Sequence, residues 1–445
     1  MKKTFKSLIA VAMVSLLAFS VVACGNNQPA TPETPAETPA VTLPAEVDPE
    51  ETPAAVDFTG QSITIGVWGG NDAEEAALNQ VIADFEAKTG ATIEKKIYTE
   101  YNTQIQADFI GGTAPDAFYV DASIFPFFAD LGVLAPLDPV AFDTAAFEPA
   151  LMSAFTTADG TIYSIPKDAS TLALYYNIDL LEEAGFTIDD VPTSYEELKT
   201  WIPELQAALD EIHGAGMVTA MTNVPELART MHILQRGGVS VANEDGTANL
   251  EDPTIVTNQQ FLIDLWSEGF ATPQSLGAGW NGEAFGLGKT VLMEEGNWVF
   301  QNLIDNFPDV NFGVRSMMSY EGEVSSMAFT VGWSVNANAA NAELAKAWIQ
   351  FVTGLEGMAT WTAGAGVLPS RQDVSQKINL GDNPRLQVHV DMISVATPWQ
   401  KGVTLTTIAD NYMNFLPSAV DGSMTVQEAM AAADAQANNE IAMAN

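Results

Sequence analysis

Four short stretches of this sequence set an aromatic ring near polar side chains, three of them beside glycine as well. They are Trp68-Gly69-Gly70-Asn71-Asp72, Tyr119-Val120-Asp121, Gly296-Asn297-Trp298 and Gly332-Trp333-Ser334. Indole and phenol rings offer flat apolar faces, whereas Asp, Asn, Lys and Arg offer hydrogen bonds and charge. The combination suits a compound with an apolar C–H face and a rim of hydroxyls, such as a sugar ring. Glycine lets the backbone come close to a ligand. The competing reading is that each tryptophan is core, because aromatic side chains are usually buried. Recurrence of the pattern at several junctions favours a shared crevice.

Covalent and metal chemistry find little support. Gly277-Ala278-Gly279-Trp280-Asn281-Gly282 matches G-x-G-x-x-G, but the preceding residues contain Pro273 and do not read as a strand. Gly288-Lys289-Thr290 ends like a phosphate-binding loop, yet Glu283 stands where its first glycine belongs. The three histidines, His213, His232 and His389, are far apart, and no H-E-x-x-H occurs. There is no G-x-S-x-G elbow. Carboxylates are too abundant for one pair to stand out as a glycosidase couple. These observations argue for a non-enzymatic chain with no cofactor and no metal.

Charge narrows the partners. Among 445 residues, 57 are acidic and 17 basic, for a net charge of -40. That balance argues against nucleic acid, which needs a Lys/Arg surface, and against electrostatic adhesion to an anionic membrane. Its simplest consequence is solubility. The sole cysteine, Cys24, follows Lys2, Lys3 and Lys6 and an apolar run from Leu8 to Val22. This run is too short for a stable span and reads as a signal peptide, residues 1–23. Val21-Val22-Ala23-Cys24-Gly25 resembles the lipobox of bacterial lipoproteins. That resemblance implies a diacylglycerol on the Cys24 sulfur and a membrane-anchored chain on the extracytoplasmic face. The alternative is an ordinary secretory signal with an incidental cysteine. Residues up to 57 carry Pro29, Pro32, Pro35, Pro39, Pro44, Pro49 and Pro53 among acidic residues, with no aromatic. Such a segment cannot bury enough surface to order itself. Extended, it reaches on the order of 100 Å.

The elements that must position the aromatic groups begin at Phe58. Ile63, Ile65 and Val67 alternate as in a strand. Asp72 with Glu75 reads as a capping box for a helix with Leu78, Val81, Ile82 and Phe85 on one face. Strands are expected at 92–98 and 117–121, with a helix near 103–110 between them. This β-α-β-α-β order predicts a largely parallel sheet covered on both faces. Ligands of such sheets bind outside the carboxyl ends of the strands. Further on, 163–176 reads as strand and Ser194 with Glu197 caps a helix bearing Leu198, Trp201, Ile202, Leu205, Leu209 and Ile212. A helix at 343–352 and a last one opened by Thr425 and Glu428 complete the pattern. Two α/β lobes suit a body of this length.

Several motifs resemble one family. Ala114-Pro115-Asp116-Ala117-Phe118-Tyr119-Val120-Asp121 is similar to a segment of the extracellular solute-binding proteins of carbohydrate ABC importers, the maltose-binding-protein-like group. So are Ile162 to Pro166 with Leu174 to Asn177, Phe285 to Lys289 with Gly296-Asn297-Trp298, Glu343 to Trp348, Leu368 to Arg371, and Gly422 to Ala429. Their order covers nearly everything after the linker. The resemblance implies a two-lobed, type II periplasmic-binding-protein-like α/β fold with three crossings, near 167–173, 328–331 and 367–371. The first lobe would comprise 58–168 and 331–367, and the second 169–328 and 368–445. A ligand, an oligosaccharide by this resemblance, would bind in the cleft and be delivered to the permease subunits by a monomer. Trp68, Asn71, Asp72, Asp121, Lys167, Trp298, Trp333 and Arg371 are the implied ligand contacts, and Tyr119 is a further candidate. Trp280 and Trp399 either line the cleft or are structural. The readings left open are a non-sugar solute (polyol, phosphodiester, polyamine or peptide), a glycan-active surface enzyme, and a sensor partner.

Overall fold

The structure is a computed structural model that describes residues 57–70 and 72–444. Cys24, the leader, the proline-rich segment and Asn71 lie outside the described residues, as does the side chain of Asp72.

Two sheets organise the described chain. The first contains β1 (Ser62–Trp68), β2 (Thr92–Tyr98), β3 (Ala117–Asp121) and β4 (Ile165–Pro166). The chain then builds the second with β5 (Ser170–Asn177), β6 (Thr219–Thr222), β7 (Phe270–Ala271), β8 (Thr290–Gly296) and β9 (Phe312–Arg315). After a hairpin of β10 (Ser319–Tyr320) and β11 (Glu323–Val324), β12 (Ser326–Phe329) rejoins the second sheet. β13 (Val331–Val335) returns to the first, and β14 (Ala396–Pro398) closes the second. The first sheet runs β2-β1-β3-β13-β4, and the second runs β14-β12-β5-β8-β6-β7 with β9 also on β5. β1 is parallel to β2 and β3, as the β-α-β-α-β pattern requires, and β13 is antiparallel to β3.

Local chemistry explains the elements. Ile63, Ile65 and Val67 point into one core, at 2%, 0% and 1% exposure. The helix Asp72–Thr89 lays Leu78, Val81, Ile82 and Phe85 on the same core and stops at Gly90, whose φ is 70°. It starts at Asp72 itself, so Asp72 lies in the first turn rather than ahead of it. In the second lobe, Ser194 Oγ accepts from Glu197 N at 3.2 Å and opens the helix Tyr195–His213. Leu198, Ile202, Leu205 and Leu209 are buried there, while Ile212 in the last turn is exposed. Thr425 and Glu428 form a full capping box ahead of the helix Val426–Ala444.

Each sheet is covered on both faces by its own apolar clusters. The chain passes between sheets at 167–169 and at Thr330. The third passage needs correction. Val374, on the helix Gln372–Lys377, is fully buried in the first-lobe cluster. Residues 368–377 therefore stay with the first lobe, and the chain leaves it after Ile378. The helix Pro384–Ile393 then lies on β5, where Tyr175 and the Thr171 carbonyl bond the His389 ring. A small cluster of Leu151, Ala169, Ala328, Leu368 and Ile393 gathers segments from beside the crossings.

Candidate functional site

At the carboxyl ends of β1 and β3, Trp68 and Tyr119 meet with ring centroids 4.8 Å apart. Tyr101 stands edge-on to Trp68 at 5.1 Å and donates its hydroxyl to the Tyr119 carbonyl at 2.7 Å. Lys167 lies between two rings: its ammonium is 4.8 Å from the Tyr119 centroid and 4.4 Å from that of Trp361. Such contacts favour a cation in a desolvated place, and Lys167 is additionally paired with Asp168. The same pocket is lined by Glu74, Glu75 and Lys95, with Lys95 bonded to Glu75 at 2.6 Å. Aromatic faces and charged edges thus converge on one recess of the first lobe.

Asp121 ends β3 beside the crossing. Its Oδ1 accepts from Ser123 N and Ser123 Oγ, at 2.9 and 2.5 Å. Burial pushes its carboxyl above the usual range, the Ser123 hydrogen bonds oppose this, and the Asp168 charge adds to the rise. Asp121 pairs with Val331, and the Thr330 carbonyl accepts from Ala122 N at 3.1 Å. The next residue back, Phe329, meets Trp298 at 5.5 Å, edge-on. Asp121 of one lobe and Trp298 of the other therefore flank the same crossing.

Trp298 opens the helix Trp298–Asn306 and is 40% exposed. Its ring folds back over Gly296, where a Cβ would stand 2.1 Å from the indole. Only glycine permits this placement. Arg229 covers the ring at 5.2 Å and is held by Glu295. Asn297 turns inward and accepts from Thr171 N at 3.2 Å. Behind Arg229 lies a chamber lined by Thr222, Asn223, Tyr195 and Glu294. Tyr195 donates to Glu294 Oε1 at 2.5 Å. Burial pushes the Glu294 carboxyl up to about 7, against the lowering effect of Tyr195 and Arg229.

The sequence-derived candidates separate into groups. Trp68, Tyr119, Asp121, Lys167 and Trp298 gather around the recess and the crossing. Trp333 does not: it is 0% exposed inside the first-lobe core, edge-on to Tyr119 at 4.4 Å and to Trp348 at 5.6 Å. A central strand with both faces covered has no open side. Arg371 is 6% exposed, paired with Asp143 and Asp373 and stacked on Phe147. These contacts make it a clasp within the first lobe rather than a group facing a ligand. Trp280 is 36% exposed and lies over Gly282. Trp399 is half-buried against the second-lobe core. Trp361, Glu295 and Arg229 were not singled out by sequence. Trp361 sits in an apolar helix, and the Arg229 partner is 66 residues away.

Comparison with known proteins agrees with this architecture. Residues 80–388 match the family model for bacterial extracellular solute-binding proteins. A binding protein of Brucella abortus is 23% identical over 68% of this chain and 78% of its own length. The arabinooligosaccharide-binding protein of Bacillus subtilis is 24% identical over 62% of this chain and 65% of its own. The solved structure of the sugar-binding protein MalE from Xanthomonas citri superposes with a TM-score of 0.75 at 17% identity, covering 86% of this chain and 98% of that one. Among the described residues no helix is long and apolar enough to cross a membrane. With its two-lobed fold and a match over more than half its length, the chain belongs to the bacterial extracellular solute-binding protein family.

Proposed function

We propose that this protein captures a carbohydrate, an oligosaccharide by its best fit, between its lobes and delivers it to the permease subunits of an ABC importer. The observation that carries this reading is Trp298. A large, half-exposed indole is laid flat over a glycine and backed by Arg229, across the crossing from an aromatic and carboxylate recess. Such a pair of surfaces matches the apolar face and hydroxyl rim of a sugar. The name of the Bacillus subtilis relative points the same way. Closure about the crossings shifts a population, so the ligand must contact both lobes better when they are shut.

The protein works without catalysis, as a monomer, held outside the cytoplasm by a lipid on Cys24. Metabolic labelling with a radioactive fatty acid tests the anchor: the label is expected on the wild type and not on Cys24→Ser.

A thermal-shift and calorimetric screen tests the ligand class. It compares neutral oligosaccharides with polyols, phosphodiesters, polyamines and peptides, because a ligand of the native state raises the melting temperature by mass action. Micromolar binding, about 8 kcal/mol, is expected among the oligosaccharides. Binding confined to another class would overturn the reading. Recovery of a cleaved glycan would point to an enzyme instead.

A further inference from the structure

Behind Trp298, away from solvent, Thr171, Asn297 and His389 form a continuous polar bridge. They are 0%, 3% and 0% exposed. Thr171 is its hub. The Thr171 N–H donates to Asn297 Oδ1 at 3.2 Å, and Thr171 Oγ1 donates to the His389 carbonyl at 2.7 Å. The Thr171 carbonyl lies 2.8 Å from His389 Nδ1. A carbonyl can only accept, which assigns the proton to Nδ1. Nε2 is then an acceptor, and the Tyr175 hydroxyl donates to it at 2.7 Å. Burial disfavours the charged ring and so favours this neutral form.

One end of the bridge supports the exposed indole. Asn297 immediately precedes Trp298, and Leu386 and Val388, on the same helix as His389, pack on the cluster that holds Val299 and Phe300. Those two residues follow Trp298 in the first turn of its helix. The other end reaches the crossings. Thr171 comes two residues after Ala169 and pairs with Ala328 of β12. Ile393, one turn beyond His389, packs with Ala169 and Ala328 and with Leu151 and Leu368 of the first lobe.

A buried polar network whose members are paired rigidifies what it joins. Here it joins the residue before Trp298 to the strand that leaves the first crossing. We infer that His389 and Thr171 are positioning residues for ligand capture: neither touches the ligand, and together they hold Trp298 in register with the crossing about which the lobes turn. The inference rests on the carbohydrate reading of the site.

Calorimetry with linear glucose, arabinose and galactose oligomers, and thermal melts on the same preparations, test it. His389→Leu removes both ring bonds and is expected to weaken binding at least about tenfold. His389→Asn sets an amide N–H where Nδ1 stands, keeps the bond to Thr171, and is expected to bind within about threefold of wild type. Asn258→Leu is the comparison: Asn258 is a 2% exposed polar group of the same lobe, bonded to the Leu234 and Arg236 carbonyls and not to the bridge. It should lower the melting temperature and leave affinity unchanged. Wild-type affinity in His389→Leu overturns the inference, as does equal weakening in His389→Leu and either of the other two variants, because affinity then follows burial or stability alone. If His389→Leu does not fold, Thr171→Val, which removes only the hydroxyl bond and keeps the shape of the side chain, takes its place. Binding about threefold weaker is expected there, and wild-type affinity overturns the inference. Failure of the wild type to bind any of the oligomers overturns it together with the carbohydrate reading.

Discussion

The guanidinium carbon of Arg229 stands 5.2 Å from the centre of the Trp298 ring, and the same group grips Glu295 through Nη1 at 2.8 Å and Nη2 at 3.1 Å. Glu295 Oε2 also accepts from Gly296 N at 2.9 Å. A carboxylate that is 1% exposed thus fixes an arginine, and the arginine fixes the indole. Arg229 and Gly296 both lie against the Trp298 ring, which stays 40% exposed.

Trp298→Ala should separate binding from stability. A side chain that is 40% exposed contributes little to the core. We expect carbohydrate affinity to fall by about a hundredfold, or 2.7 kcal/mol, with the melting temperature nearly unchanged. Calorimetry and thermal melts on the same preparation check this. Equal loss of both would make Trp298 a packing residue.

Arg229→Met should behave differently. It leaves Glu295 buried without its partner, a class of change that costs about 3–5 kcal/mol. The paired variant Arg229→Met with Glu295→Gln should recover most of that stability and none of the lost affinity. Denaturant unfolding of both variants supplies the comparison.

Acid and alkaline stability should carry opposite signatures. Burial lowers His389 to about 4, opposed by its bond to the Thr171 carbonyl, and lowers His232 to about 3 with help from Arg236. An unfolded histidine titrates near 6.5. Stability from these neutral rings is complete above that value and is lost as pH falls toward their folded values. Glu294 has the reverse sign. Raised to about 7, it favours the folded state below the usual glutamate range, and that contribution disappears as pH rises through 7. Glu294→Gln should therefore stabilise the protein by on the order of 1–3 kcal/mol at pH 8 and by little at pH 4.5. Melting curves across that range give the answer.

Arg371→Ala tests the clasp. Its Nε and Nη2 hold Asp373 at 3.0 and 2.8 Å, and Nη2 reaches Asp143 at 3.0 Å. Losing these charge-assisted bonds and the stack on Phe147 should cost about 1–3 kcal/mol of stability. Carbohydrate affinity should stay within about twofold. A large affinity loss with an unaltered melting temperature would return Arg371 to the ligand site.

Local pattern made much of the fold legible. The limits of β2 and β3 follow directly from alternation and glycine punctuation. The helix Ala342–Val352 buries the four residues its spacing selects, Leu344, Trp348, Ile349 and Val352. What local pattern cannot reveal is which face of a strand is covered. Trp333 carries the same glycine and polar flanks as Trp298, yet it pairs with Tyr119 and Ile165 in mid-sheet. Arg229 was invisible for a related reason: a lone cation on a helix acquires meaning only from a glutamate on another strand. The third crossing misled because Leu368 to Arg371 lies at the hinge, while the helix after it returns Val374 to the first core.

Hydrogen exchange with and without a saturating oligosaccharide tests the central claim most directly. The account predicts slower exchange in both lobes at once, at 66–70 and 119–123 in the first and at 225–230 and 296–299 in the second. Slowing confined to one lobe would contradict a ligand held between them.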